Sequence, residues 1–321
     1  MSAALREVVL PAYGLESGII RLLETLSAVE GAPRVRMDFR MVKFYHPCAI
    51  VAVLARVKAW LVRGSTVCFV NHRECEAFRY LQRIDFFRTA GLDLSEDFVR
   101  HDSTGRFVSV REIPVGAPNI SVMATEIAEC FSPGDFILNP LHQLLQYALG
   151  ETLSNCKQHA KAPGFVAAQH TPRDDRVRFA VADIGIGIRE SFRQNHSPHF
   201  QEGMGDPEAL ALALRPFVSS VNHLPHAYGH PSNMGIGLSM LRALTRQLGG
   251  SMFLTSGRAW RGYDVEGSER WGTLAGGFQW SGTICALSLR RSEVEDYARH
   301  LANARASLRL TPGPPDATNG A

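Results

Sequence analysis

Residues 141–160, LHQLLQYALGETLSNCKQHA, restrict the fold more than any other stretch of the chain. They read as one long helix, Leu141–Ala160, largely apolar but for a stripe in which Glu151 and Asn155 stand one turn apart. Side chains at i and i+4 share a helix face, so a carboxylate and a carboxamide project together, and Ala148, Thr152 and His159 extend the stripe. If that face is buried, the pair is costly unless something engages it, and its oxygens suit a hard cation such as Mg²⁺ together with water. If it faces solvent, it is an ordinary polar stripe. The helix alone leaves both readings open.

At 321 residues the chain has room for two compact domains or one large one. Net charge is only +3 and the Lys and Arg residues are scattered, so nothing resembles the electrostatic footprint of a nucleic-acid or membrane-surface binder. The six cysteines lie far apart without a C-x-x-C pair, which fits reduced, buried thiols rather than a disulfide framework or a zinc site. The opening MSAALREVVLPAYG lacks the basic-then-apolar pattern of a secretory signal. The most apolar segment, Cys48–Val62, is interrupted by Arg56 and Lys58 and is too short to span a bilayer. These features predict a cytoplasmic protein.

Residues 6–112 alternate strand and helix patterns, which predicts an α/β layer. Glu7–Leu10, Val35–Phe39, Thr66–Val70 and Arg106–Ile113 read as strands; Gly18–Val29, Ala49–Val62 and Arg73–Thr89 read as helices. Pro114–Asp135, punctuated by Pro and Gly around a short helix at Val122–Cys130, reads as the boundary. Ser292–Leu308 reads as a helix, and TPGPPDATNGA has the composition of a disordered tail. Two segments of the first half, MDFRMVKFYHPCAIV and YLQRIDFFRTAGL, resemble the STAS-like domains of bacterial regulatory proteins, the latter being similar to their YL-x-R-x-G-F-F signature. That resemblance implies a partner-docking module. Its loop Lys43–Ala49, KFYHPCA, has no Ser or Thr where phosphoacceptor members carry one.

In the second half a strand pair, Gly164–His170 and Arg176–Ala182, is joined by the turn TPRDD. Val177, Phe179 and Val181 alternate with Arg176, Arg178 and Ala180, so one face should be buried, and Asp183 continues the apolar parity inward off the strand end. Gly185 and Gly187 follow, forming D-x-G-x-G, suited to a base held by the carboxylate while its ring lies against bare backbone. A dinucleotide motif competes poorly, since its third glycine would fall on Glu190, and the chain contains no Gly-Lys pair for a Walker A loop.

Residues 194–232 form a long His-, Pro- and Gly-rich segment with a helical piece at Pro207–Leu214; segments of this kind serve as lids. His196, His199, His223, His226 and His230 crowd it and read as exposed residues able to meet phosphate rather than as a metal site. The segment ends in SNMGIGLSMLRALTRQLGG, where Gly235 and Gly237 open a helix with Leu238, Leu241, Leu244 and Leu248 at helical spacing. A glycine-rich turn feeding a helix N-terminus favours phosphate, and Ser232 and Asn233 could add donors. Ser251–Ser256 reads as a strand and Gly272–Leu289 as a hairpin whose last strand starts at Gly282–Thr283.

The ordered set E-x-x-x-N, D-x-G-x-G, N-x-G-x-G-L and G-T resembles the GHKL superfamily, which includes gyrase, a mismatch-repair protein, a heat-shock chaperone and the sensor histidine kinases. The resemblance spans about residues 136–291. It implies a Bergerat-type α/β sandwich binding Mg·ATP, in which Asn155 coordinates Mg²⁺, Asp183 binds the adenine amino group, Gly185 belongs to the base motif and Gly187 lines the base. Gly235, Gly237 and Leu238 would hold the phosphates with Asn233 beside them, where many members carry a further glycine, and Thr283 would reach the base through water. Histidine kinases usually lack a carboxylate at Glu151, whereas the hydrolysing members and the anti-sigma protein kinases have one, implying a general base. The expected organisation is an α/β protein with a STAS-like domain at 1–113, a linker at 114–135, the GHKL domain at 136–291 and a helix and tail at 292–321. The expected function is ATP-dependent regulation with hydrolysis, against Ser/Thr kinase activity or a non-hydrolysing switch. A protein partner is expected through the first domain, and a homodimer is compatible with the sequence.

Overall fold

The computed structural model describes residues 4–134, 138–220 and 235–309. The chain opens with β1 (Leu5–Val9), β2 (Tyr13–Gly14), α1 (Ile19–Ser27), β3 (Arg34–Asp38), β4 (Phe44–Tyr45), α2 (Pro47–Val62) and β5 (Thr66–Val70). Strands β1, β3 and β5 form a parallel sheet in that order, while β2 and β4 make a separate two-residue pairing. Helix α1 buries Ile19, Leu22, Leu23 and Leu26, the i, i+3, i+4, i+7 stripe of a helix covered on one side. Helix α2 starts with Pro at its first turn and is buried at every position from Pro47 to Val57, so it must be covered all round.

A single helix is expected over Arg73–Thr89, but the structure has two, α3 (Phe78–Arg83) and α4 (Phe86–Thr89). Asp85 between them adopts the left-handed conformation, φ 60°, which ends one helix and starts the next. Arg100 Nη2 donates to its carboxylate at 2.7 Å.

The chain continues through β6 (Phe107–Ile113), α5 (Ile120–Phe131), α6 (Pro140–Asn155), β7 (Gly164–Thr171), β8 (Arg176–Asp183), α7 (Gly187–Gln194) and α8 (Asp206–Ala213). It ends with α9 (Gly237–Gln247), β9 (Ser251–Gly257), β10 (Ala259–Tyr263), β11 (Glu269–Thr273), β12 (Trp280–Arg290) and α10 (Tyr297–Ser307). Seven strands form one antiparallel sheet in the order β11-β10-β9-β12-β8-β7-β6. Strand β6, expected to close the first unit, is an edge of this sheet, paired to β7. Helix α5, expected as a short piece of linker, packs against α6 and buries Ile120, Ala124, Ile127, Ala128 and Phe131. The hairpin expected over Gly272–Leu289 does not form: β11 pairs with β10, and β12 lies between β9 and β8.

Both faces of the large sheet are covered over its central strands, while the edge strand β11 is largely exposed. On one, Val166, Val181, Leu254, Leu287 and their neighbours pack with α5, α6 and α9. On the other, Phe165, Ala167, Ala180, Ala182, Ile284 and Ala286 meet α2. That is why β8, expected to bury one face, is buried along its whole length. Arg176 and Arg178 are buried too; Arg178 is held by Thr171 Oγ1 at 3.0 Å and by the Asp174 carboxylate in the turn. Alanines dominate the α2-facing row of β7, β8 and β12, letting the helix lie close to the strands. The first half therefore does not fold beside the second: its central helix is a layer of the same core.

Candidate functional site

Asn139 caps α6, its side-chain oxygen accepting from Leu141 N at 3.0 Å and His142 N at 3.3 Å, and Pro140 fills the first turn. The helix carries Tyr147, Glu151 and Asn155 down one side at four-residue spacing. The expected single helix to Ala160 changes character at Cys156: Cys156–Ala160 is a turn of π-helix. Such turns recur at functional sites because they re-aim side chains. Its end is stitched to the loop after β8, with Ile186 N donating to Ala160 O at 3.2 Å. Gly185 lies so tightly against the Ala160 backbone that no side chain would fit. Gly185 thus packs the loop and does not line the cavity that follows.

That cavity, about 370 Å³, lies between the sheet and helices α6, α7, α9 and α10. This is within the range of small-molecule sites. Glu151, Asn155, Asp183, Gly187, Gly235, Gly237, Leu238 and Thr283, separate in sequence, all line it. Asn233 and Ser232, with His223, His226 and His230, lie outside the described residues, as do 135–137 and the expected tail from 310.

Asp183 is 5% exposed and continues the inward parity of Val181 off the strand end. Its Oδ1 accepts from Gly185 N at 2.8 Å, and the Thr283 backbone N–H supplies a second donor. Burial nevertheless outweighs both donors and raises its pKa to about 7. Gly187, φ 76°, turns into α7 with Ser256 Oγ against its backbone; Ser256 accepts from Ile188 N at 2.9 Å and donates to Gly282 O at 2.9 Å. Glu151 makes no hydrogen bond or ion pair with any described residue, and desolvation raises its pKa. Its carboxylate abuts Gly237, where a side chain would collide with it, at the first residue of α9. Asn155 Nδ2 is buried without a hydrogen-bond partner among the described residues. An acid and an amide, both idle and both at one cavity, are the opposite of a satisfied core.

The opposite wall comes from the described part of the expected lid. Val218 N donates to Gly235 O at 3.2 Å, and Val218, Ser219 and Ser220 line the cavity. Ser220 Oγ lies 2.8 Å from Ser191 Oγ and 3.0 Å from His159 Nδ1, a polar chain that ties α7 and the lid to the π turn. Sequence reasoning missed Ser191 and Ser220, whose contact joins residues 29 positions apart. It also missed Tyr147, which the four-residue rule from Glu151 could have found, and Arg305, which nothing local marks. Arg305 on α10 is the sole Arg or Lys among the described residues lining the cavity, and it makes no ion pair with any of them. Asp296 caps α10 by accepting from Arg299 N at 3.0 Å, and buried Ala304 fixes the helix against α9 and α6.

No group of three or more His, Cys, Asp or Glu able to hold a metal ion occurs among the described residues, and no helix among them is long and apolar enough to cross a membrane. Compared with protein-family models and with curated proteins, the chain matches none at the level of sequence.

Proposed function

We propose that the cavity binds Mg·ATP and that the protein is a GHKL-type ATP-binding regulator, joined to a STAS-like module, that hydrolyses ATP to switch a protein partner. The observation that carries this reading is the meeting of an idle Glu151, an idle Asn155 amide and a buried Asp183 at one cavity. Folding alone gives no return for such an arrangement. The left-handed Asp85 also supports the STAS resemblance, since it stands where that signature carries Gly.

The residues divide along α6. Asp183, Gly187 and Thr283 suit a base, the carboxylate accepting from an exocyclic amino group. Asn155 lies one turn from Glu151, and the glycine-opened start of α9 meets that carboxylate, where N–H groups and the helix dipole favour phosphate. Mg²⁺ bound with the nucleotide would neutralise phosphate charge. The Asn155 side-chain oxygen would be its protein ligand, with phosphate and water completing the shell, and the unpartnered Nδ2–H group is a donor suited to a phosphate oxygen. Tyr147 stands one turn before Glu151 on α6, and Arg305 of α10 lines the same cavity close enough to affect the ionisation of the Tyr147 phenol. From Cys156 to Tyr147 is nine helical steps, about 13 Å at 1.5 Å per residue, enough to separate a base from a terminal phosphate. Arg305 is the cation assigned to that end.

Glu151, with its proton affinity raised by burial, takes a proton from a water beside the phosphates. Phosphate release by purified protein with Mg·ATP, abolished in Glu151→Gln with nucleotide binding retained, is the expected result. Absence of ATP binding by the wild type would overturn the reading. Label appearing on a partner protein would identify the acceptor as a hydroxyl instead, and binding without turnover would make the protein a switch only.

A further inference from the structure

The three residues before Gly282 are gripped by the first half of the chain. Arg56, 1% exposed in the middle of α2, lays its guanidinium 4.6 Å from the centroid of the Trp280 ring and donates to Gln279 O at 3.4 Å. It is ion-paired to Glu30, which also pairs with Arg63 at the end of α2. Arg63 Nη2 in turn donates to Ser281 Oγ at 2.9 Å. One carboxylate thus locks two arginines onto residues 279, 280 and 281.

The next two residues belong to the cavity's base end. Gly282, φ 91°, lies against the Asp183 backbone, closer than any side chain would allow, and Thr283 N–H donates to the Asp183 carboxylate. The β9–β12 register breaks between Trp280 and Thr283, so the regular ladder does not fix this stretch. What does fix it, besides Ser256 on Gly282 O, is the clamp from α2. A bulge held by two arginines from another layer sets where the second donor to Asp183 sits.

We infer that Glu30, Arg56 and Arg63 are positioning residues for the base-binding end of the cavity, so that the first half of the chain sets nucleotide affinity through residues 279–283. This rests on the nucleotide reading above. It also gives the first half a role that a docking module lacks: a partner that shifted α2 would be read at Asp183. The alternative is an interface that packs and does nothing more. Arg63 separates the two, because its side chain is 47% exposed and a pair that open contributes little to folding.

The full chain carrying Arg63→Ala or Glu30→Gln is compared with wild type by calorimetric titration with Mg·ATP and Mg·ADP. The expected result is affinity weakened about three- to tenfold for both nucleotides, the range of one lost hydrogen bond. In Arg63→Ala the thermal midpoint should move by no more than about 2 °C, whereas Glu30→Gln, which strands the buried Arg56, should melt lower; Arg63→Lys should restore affinity. Wild-type affinity in Arg63→Ala would overturn the inference. Amide exchange at residues 281–284 without ligand tests the clamp even if wild type binds no ATP. Faster exchange in Arg63→Ala supports it, and unchanged exchange sinks it independently of the nucleotide reading.

Discussion

Helices α2 and α6 are both 16 residues long, both begin with proline in the first turn, and they lie on opposite faces of the same seven-stranded sheet. Helix α2 buries one charge, Arg56, whose Nη1 meets Glu30, whose Nη2 donates to Gln279 O and whose guanidinium lies over Trp280, with only Nε lacking a partner among the described residues. Burial lowers its pKa to about 10. Helix α6 turns Glu151 and Asn155 into a cavity and engages neither. A buried charge that is paired belongs to the scaffold, whereas an acid and an amide left unmatched beside free volume are candidates for a ligand. The contrast also explains the sheet's side chains: alanines let α2 close down, while the α6 side opens at Asp183 and Thr283.

The widest separation should come from Glu151→Gln, which keeps shape and removes the base. Turnover is expected to fall about 10²- to 10⁴-fold, with nucleotide affinity within about twofold and, since desolvation raises the Glu151 pKa, stability near neutral pH no lower than wild type. A variant of near wild-type turnover would remove the functional half of the contrast. The counterpart on α2 is Leu54→Ala, at a position 1% exposed. It should cost about 2–5 kcal/mol in denaturant unfolding while the surviving folded fraction keeps its ATP affinity. If Leu54→Ala lowered stability but not ATP affinity, and Glu151→Gln lowered turnover but not stability, the division between scaffold and site would hold.

Next in size is Asp183→Asn, with about 10- to 100-fold weaker ATP binding. Its pKa is raised, to about 7, so the native state holds a proton that the unfolded chain releases near pH 4. Its favourable contribution is therefore complete below about pH 4 and is lost as pH rises to about 7. Above that the buried carboxylate opposes folding, so the Asn variant should melt higher than wild type at pH 8, by about 1–4 kcal/mol, while binding worse. Wild-type ATP affinity should weaken as pH falls through 7 and the carboxylate becomes protonated. A variant that both melts lower and binds normally would return Asp183 to the scaffold. The smallest effect expected is that of Arg305→Ala, about tenfold on ATP and none on ADP, read by competition between the two. Equal losses for both would move Arg305 away from the terminal phosphate.

Much of the site was legible because its residues lie at fixed local spacings. Glu151 and Asn155 follow the helical four-residue rule, and Asp183 follows the two-residue parity of β8; the structure brings these positions to one cavity. Gly185 lies outside the cavity lining, and its sequence could not show this because a glycine needed for close packing looks the same as one needed for a ligand. The organisation of the first half was legible as alternating strands and helices, but its boundary was not. Strand β6 carries no local mark of which sheet it joins, and α5 resembled linker because Pro and Gly bracket it. The burial of α2 on all sides was visible as an unbroken apolar run; what covers it was not, since the alanine row lies more than a hundred residues away.

The π turn at Cys156–Ala160 has a consequence for what the cavity can measure. Ile186 N is tied to Ala160 O and Gly185 is pressed against the same backbone, so the end of α6 and the loop after β8 are joined directly. Glu151 and Asn155 ride on the first part and Asp183 heads the second, so this junction links the two ends of the cavity. On the nucleotide reading proposed above, the site would act as a gauge of length: a ligand would be held at both ends only if it spanned that interval, and a shorter molecule of the same chemistry would satisfy one of them.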